Sequence, residues 1–229
     1  MDDLNLYEQF QDLSLSFPKL RLQRYGKGHW YVRGMLRFSE EYFRRRIEDE
    51  YSIEIAVPEE YPDVLPKIVE TGNRIPGDFH HYQDGSLCLG APLDVKQKFR
   101  KQPTLLGYVD NCVIPYLYSY SYKCKFGKMP FGELSHGGIG LLEYYRELFG
   151  IKDQRRVLKL IQILTEEQHY RDHDRCPCGS GKRLRSCHGT MLLEIQKLQS
   201  PTEFLNEYHW IVRDLANKAF SNPYRPFFY

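Results

Sequence analysis

Between Pro18 and Thr71 the chain alternates apolar and polar residues in short runs separated by turn formers. This period of two constrains the fold more than any other feature, because such runs bury one face only when they pair into a sheet. The clearest run is YSIEIAVP, which sets Ile53, Ile55 and Val57 on one side. KLRLQRY and HWYVRGMLRF precede it, joined by a GKG turn, and PKIVET follows after Pro66. The pattern predicts one antiparallel meander over residues 19–71. Inside it, SEEYFRRRIEDE is dense in charge and reads as a short helix or a loop insertion.

Helical spacing surrounds the meander, so the expected class is α+β. LNLYEQFQDLSLS (residues 4–16) places Leu4, Tyr7, Phe10 and Leu13 at steps of three. PTLLGYVDNCVIPYLYSYSY forms a helix that Thr104 can cap and Pro115 must end or kink. LLEYYRELF is the next helix, and DQRRVLKLIQILTEEQ carries Val157, Leu160, Ile161 and Leu164 on one face. MLLEIQKLQ is amphipathic. Ser200-Pro201-Thr202-Glu203 is a capping box for a last helix with Phe204, Tyr208, Ile211, Val212 and Leu215 inward. The aromatic tail NPYRPFFY is expected to lie across a surface. Residues 72–101, rich in Gly, Pro, His and Asp, show no sustained periodicity, and such a stretch in a compact domain usually carries function.

Composition narrows the function classes. With 229 residues, 41% of them hydrophobic, the chain has enough apolar material for a core. No apolar run approaches the ~20 residues of a membrane span, and the acidic start MDDLNLYEQF does not fit a signal peptide. Thirty-two basic against thirty acidic residues leave +2, so charge does not nominate nucleic acid as a partner. The six cysteines are spaced for metal and thiol chemistry rather than for disulfides, which implies a cytoplasmic protein.

Residues 171–189 contain no hydrophobic stripe, but they hold Cys176, Cys178, Cys187 and His188 in a C-x-C-x8-C-H array. Gly179-Ser180-Gly181 lets the backbone turn so that four soft ligands converge on one tetrahedral centre, as a structural zinc requires. CPCGSGKRLRSCHG closely resembles the SEC-C motif, a small zinc-binding hairpin. The resemblance implies a zinc held by those four residues and a docking role, with Leu184 where the family has an aromatic. Four protein ligands leave no open position for catalysis.

Cys88 lies in HHYQDGSLCLGAP, with Gly85 before it and Gly90-Ala91-Pro92 after it. On its own, a cysteine between Leu87 and Leu89 is a small buried hydrophobe; in a loop it is a presented thiol. An N-terminal helix, a meander, Tyr61-Pro62-x-x-x-Pro66, a G-x-L-C-L segment 22 residues after Pro66 and a Leu-rich helix occur in that order. This order resembles the ubiquitin-conjugating (UBC) fold over residues 1–150, most closely its divergent bacterial members. The resemblance implies a bacterial ubiquitin-like modification system, often associated with antiviral defence, with a ubiquitin-like modifier, an activating enzyme and a protein target as partners. Cys88 would be the nucleophile. The family's His-Pro-Asn tripeptide is missing: the position ten before Cys88 is Asp78. His80, His81 and Gln83 are the candidate replacements as oxyanion donors. The family's Trp after the cysteine is also missing, with DVKQKFRKQ in its place. Glu133 and His136 could border the cysteine or tie down their own Gly-rich loop. Cys112 reads as helix core, and Cys124 has no partner at ligand spacing.

The expected organisation is a conjugating domain at 1–150, a connecting helix at 151–170, the zinc hairpin at 171–190, and C-terminal helices with the tail at 191–229. The expected activity is thioester transfer through Cys88 to an amine. The alternative is a catalytically silent UBC-like adaptor that recruits partners through the hairpin.

Overall fold

The computed structural model describes residues 3–26, 29–42, 44–131, 135–166 and 172–220. The chain divides into two compact units, residues 1–132 and 133–229.

The first unit is built on a four-stranded antiparallel sheet in the order β1-β2-β3-β4. Its strands are β1 (Leu20–Tyr25), β2 (His29–Tyr42), β3 (Arg45–Val57) and β4 (Lys67–Glu70), so the predicted meander is present. Its inner face carries Val32, Leu36, Tyr51, Ile53, Ile55 and Ile68, each at most 1% exposed. Burying such a side chain contributes roughly 1.5–3 kcal/mol, which makes this face the main source of the unit's stability. Helix α1 (Asp3–Ser16) adds Leu6 and Leu13 to the same core.

The inward face of α1 differs from the one expected. Leu4 and Tyr7 are 65% and 48% exposed, while Leu6, Phe10, Leu13 and Phe17 point inward at steps of four, three and four. Steps of three drift around a helix. Nine residues turn it by about 900°, so Leu4 and Leu13 face opposite ways.

The segment expected as a helix or loop insertion is strand over its described length: residues 39–42 end β2 and residues 45–50 begin β3, closed at Tyr42↔Arg45. Glu41 faces Arg46 across the ladder, and Arg37, just before the segment, pairs with Glu48. Such cross-strand pairs stabilise a hairpin that hydrophobic alternation alone would not mark. Tyr118 clamps the turn, its hydroxyl donating to the Arg45 carbonyl at 2.7 Å.

Residues 92–101, expected without regular structure, form α2 (Pro92–Lys101). Pro92 sits in the first turn, where its missing N–H costs nothing. Leu93 and Phe99 are buried, and Asp94 pairs with Lys98 one turn later. Two apolar anchors in a charged decamer leave little periodicity to read. The next helix runs as α3 (Leu105–Tyr108), a π-turn over Val109–Val113 and α4 (Ile114–Phe126). Thr104 caps it, accepting the Gly107 N–H at 3.0 Å. At Pro115 the chain inserts the wide turn rather than stopping, which spares the ring a clash with the preceding carbonyls.

The second unit packs α5 (Gly137–Phe149), α6 (Gln154–Leu164), α7 (Gly189–Gln196) and α8 (Pro201–Phe220) around their own apolar residues. The boundary read at 150 thus falls near 132, because α5 packs on α8 and α6. Val157, Leu160, Ile161 and Leu164 are fully buried, as their spacing requires. The capping box is formed: Glu203 accepts the Ser200 N–H at 2.8 Å, and Ser200 Oγ accepts the Glu203 N–H at 3.3 Å. On α8, Phe204 and Ile211 are buried but Val212 is 39% exposed. The buried line includes Glu207 instead, bonded to the Tyr145 hydroxyl at 2.5 Å and to Gln199 at 2.9 Å. The tail NPYRPFFY lies outside the described residues.

Gly34 in β2 has φ +141°, and a Cβ there would stand 2.2 Å from the Lys19 carbonyl oxygen. Gly34→Ala should therefore destabilise the sheet unit by about 1–3 kcal/mol through backbone strain and overpacking. Chemical denaturation followed by circular dichroism checks this; an unchanged midpoint would contradict the close approach.

Candidate metal centre and the cysteine hairpin

Residues 172–188 cannot organise themselves by burial, since Cys176 and Leu184 are their only buried side chains. Backbone bonds shape them instead. The Cys176 N–H donates to the Lys182 carbonyl at 2.8 Å, and the Leu184 N–H to that of Asp174 at 2.8 Å. Arg175 bridges Arg183 in antiparallel fashion. Gly179 and Gly181 adopt left-handed φ values of +85° and +74°, which close the knuckle. A single 3₁₀ turn, Leu184–Ser186, then delivers Cys187 and His188.

The four predicted ligands converge. Cys176 Sγ and Cys187 Sγ each lie 3.3 Å from His188 Nδ1, and the Cys178 and Cys187 sulfurs are 3.5 Å apart. All four donor atoms fall within 4.8 Å of one another. A tetrahedral zinc, with bonds of about 2.3 Å to sulfur and about 2.0 Å to nitrogen, sets donor spacings near 3.5–3.8 Å. The cluster is thus sized and composed to hold a metal ion, and three thiols with one imidazole are consistent with zinc.

The surroundings orient the donors. His188 Nε2 lies 2.9 Å from the Phe149 carbonyl at the end of α5. A carbonyl only accepts, so Nε2 carries the proton and Nδ1 offers its lone pair to the centre. That carbonyl is free because α5 ends in a glycine cap. Gly150 is left-handed, and the Gly150 and Ile151 N–H groups turn back to Glu147 and Arg146. Arg156 of α6 donates to the Cys178 carbonyl at 3.0 Å. Burial holds the Cys176 thiol up at about 11. At Cys178 burial acts the same way but is outweighed by hydrogen bonds from Ser180, which bring it to about 6.

A family model matches here: the SEC-C motif, over residues 174–190. The matched segment contains all four donors and the glycine knuckle. No curated protein matches the chain. The SEC-C segment therefore rests on two independent observations, its sequence pattern and the convergence of its side chains.

Cys88 occupies a different setting, in the first unit. Residues 80–88 fold into a short hairpin: His81 bridges Leu87, and the Cys88 N–H donates to the His80 carbonyl at 2.7 Å. The Gly85 N–H bonds to the Tyr82 carbonyl and the Tyr82 N–H to that of Ser86, with Gly85 at φ +82°. This is a three-residue turn with a glycine bulge. Asp84 accepts from the Ser86 N–H at 3.0 Å and hydroxyl at 2.5 Å and pairs with Lys67 of β4 at 2.6 Å. Bonds from Lys67 and Ser86 hold its carboxyl well below the usual range. The Leu87 N–H donates to the Ile68 carbonyl at 2.8 Å, which fastens the hairpin along β4.

Strand alternation sends Leu87 into the core, at 3% exposure, and leaves Cys88 half-buried. Cys112 is sealed at 2% exposure, and burial raises its thiol to about 11. Cys124 is exposed on α4. Of the candidate donors, His80 and His81 share the hairpin arm opposite Cys88, whereas Gln83 is exposed at its tip. His81 Nδ1 lies 2.8 Å from the Phe79 carbonyl, and His80 takes a left-handed φ of +44°. Sequence spacing gave no sign of Tyr116. It is buried on α4, and its hydroxyl donates to the Phe79 carbonyl at 3.0 Å and reaches that of His80 at 3.4 Å, bracing the arm that pairs with Cys88. Glu133 lies outside the described residues, and His136 is exposed ahead of α5 in the second unit.

Cys178→Ser or His188→Ala should abolish stoichiometric zinc, read by metal analysis of the purified protein. It should also expose the hairpin to protease while the sheet unit stays folded, since metal binding supplies on the order of 10 kcal/mol to such modules. Zinc must displace the proton that burial keeps on Cys176. Affinity should therefore weaken as pH falls from about 8 to about 6, measured by competition with a chromogenic chelator.

Proposed function

We propose that the first unit is a UBC-like conjugating domain of a bacterial ubiquitin-like modification system, of the kind associated with antiviral defence. Cys88 carries the modifier as a thioester and passes it to an amine. The observation that supports this most is the place of Cys88: a half-buried thiol on a tight hairpin that follows the last strand of a helix-then-meander unit and precedes α2. A core cysteine such as Cys112 has no such access.

The chemistry needs little else. The Cys88 thiolate adds to the thioester carbonyl presented by an activating enzyme, and that enzyme's thiolate departs. An amine then adds to the new thioester, loses its proton, and expels Cys88 as thiolate, leaving an amide. A thiolate leaves readily, so no strong base is required. His80 and His81, on the arm that pairs with the Cys88 strand, would assist the developing oxyanion, a role that Gln83, at the hairpin tip, is less well placed to fill. The SEC-C segment would recruit a protein partner or target. Absence of the His-Pro-Asn tripeptide favours the rival reading, a silent adaptor that keeps the fold and has lost the transfer.

With a ubiquitin-like modifier and its activating enzyme, wild-type protein should give a reductant-sensitive adduct on a non-reducing gel. Cys88→Ser should convert it to a reductant-stable oxyester, and Cys88→Ala should abolish it. Cys112→Ala and Cys124→Ala should retain it. An adduct that survives Cys88→Ala would disprove the assignment; no adduct with any variant would favour the adaptor.

A further inference from the structure

The four donors of the SEC-C segment are not equally protected. Cys176 is 4% exposed, whereas Cys178 and Cys187 are half-buried. Their two sulfurs are neighbours, 3.5 Å apart. Both also abut the exposed Gly179–Gly181 knuckle. The Ser180 N–H donates to Cys178 Sγ at 3.4 Å, and the Ser180 hydroxyl lies 3.4 Å from Cys187 Sγ. On the other side, His188 is tied to the Phe149 carbonyl. A small oxidant arriving from solvent therefore meets the two less buried cysteines before Cys176.

We propose that Cys178 and Cys187 form a peroxide-sensitive pair, whose oxidation to a disulfide empties the metal centre and unfolds the knuckle while Cys176 stays reduced. The Cys178 thiolate attacks one peroxide oxygen, giving a sulfenic acid and expelling hydroxide. The Cys187 thiolate then attacks that sulfur, forms the S–S bond and releases a second hydroxide. The balance is two thiolates and one hydrogen peroxide to one disulfide and two hydroxides. Cys176 and His188 alone are too few donors to retain the ion. A dithiol reverses the change by taking the disulfide onto itself, after which the centre can refill. This inference is independent of any transfer chemistry at Cys88.

The test uses the full-length, zinc-loaded chain titrated with hydrogen peroxide. A chromogenic chelator follows zinc, and peptide mapping after thiol blocking follows each cysteine. The expected result is one zinc released per Cys178–Cys187 crosslink, with Cys176 still alkylatable and both changes reversed by dithiothreitol and zinc. Cys124→Ala, which removes the exposed thiol of α4, should leave the titration unchanged. Zinc release without that crosslink, a crosslink through Cys176, or full zinc retention at peroxide levels that oxidise Cys124 in the wild type would each overturn the proposal.

Discussion

The register of β2 against β3 governs the first unit. Thirteen consecutive residue pairs, from Trp30↔Val57 to Tyr42↔Arg45, hold it. A slip of one residue would turn every inward side chain of a strand to solvent, so the register and the buried face specify each other. The same ladder extends beyond its neighbours. β1 pairs only with residues 29–34 and β4 only with residues 53–56. The remaining length is a two-stranded arm whose inward residues Leu36, Phe38, Ile47 and Tyr51 are buried in the core, with the Tyr118 clamp at its turn. β4 in turn offers the Ile68 carbonyl and the Lys67 ammonium to which the Cys88 hairpin is fastened. The position of that thiol thus follows from the sheet.

The second unit solves a different problem. Its helices bury ordinary apolar faces, but the SEC-C segment between α6 and α7 has almost nothing to bury. Order there comes from backbone hydrogen bonds, two left-handed glycines and the convergence of four donors. Helix ends complete the arrangement: α5 leaves a carbonyl free for His188, and α6 supplies Arg156 to the Cys178 carbonyl. A metal module of this kind borrows its rigidity from the caps and side chains of its neighbours.

Much of this was legible in the chain. Strand alternation located the meander, and the C-x-C-x8-C-H spacing named all four donors, because both patterns are local and short in period. The capping box at Ser200 and the cap at Thr104 were likewise local. What failed to show followed from interactions between distant segments. The charged arm of β2 and β3 is stabilised by pairing across the ladder, and α2 by two anchors whose burial depends on what they meet. The α1 stripe was misplaced because steps of three only approximate the helical period. On α8 a carboxylate, Glu207, is buried because Tyr145 and Gln199 satisfy it, while Val212 falls outside the buried line of Phe204 and Ile211.

By itself, then, the sequence determined the meander, the main helices and the ligand set, since each is written in residue types at fixed spacing. Only the tertiary structure decided that α5 belongs with α6 and α8, that Cys88 stands half-buried while Cys112 is sealed, and that Tyr116 braces the hairpin. The same holds for the unequal burial of the three metal-site cysteines. These properties depend on which surfaces meet. Burial and hydrogen-bond partnership are decided between segments far apart in the chain, and no local spacing encodes them.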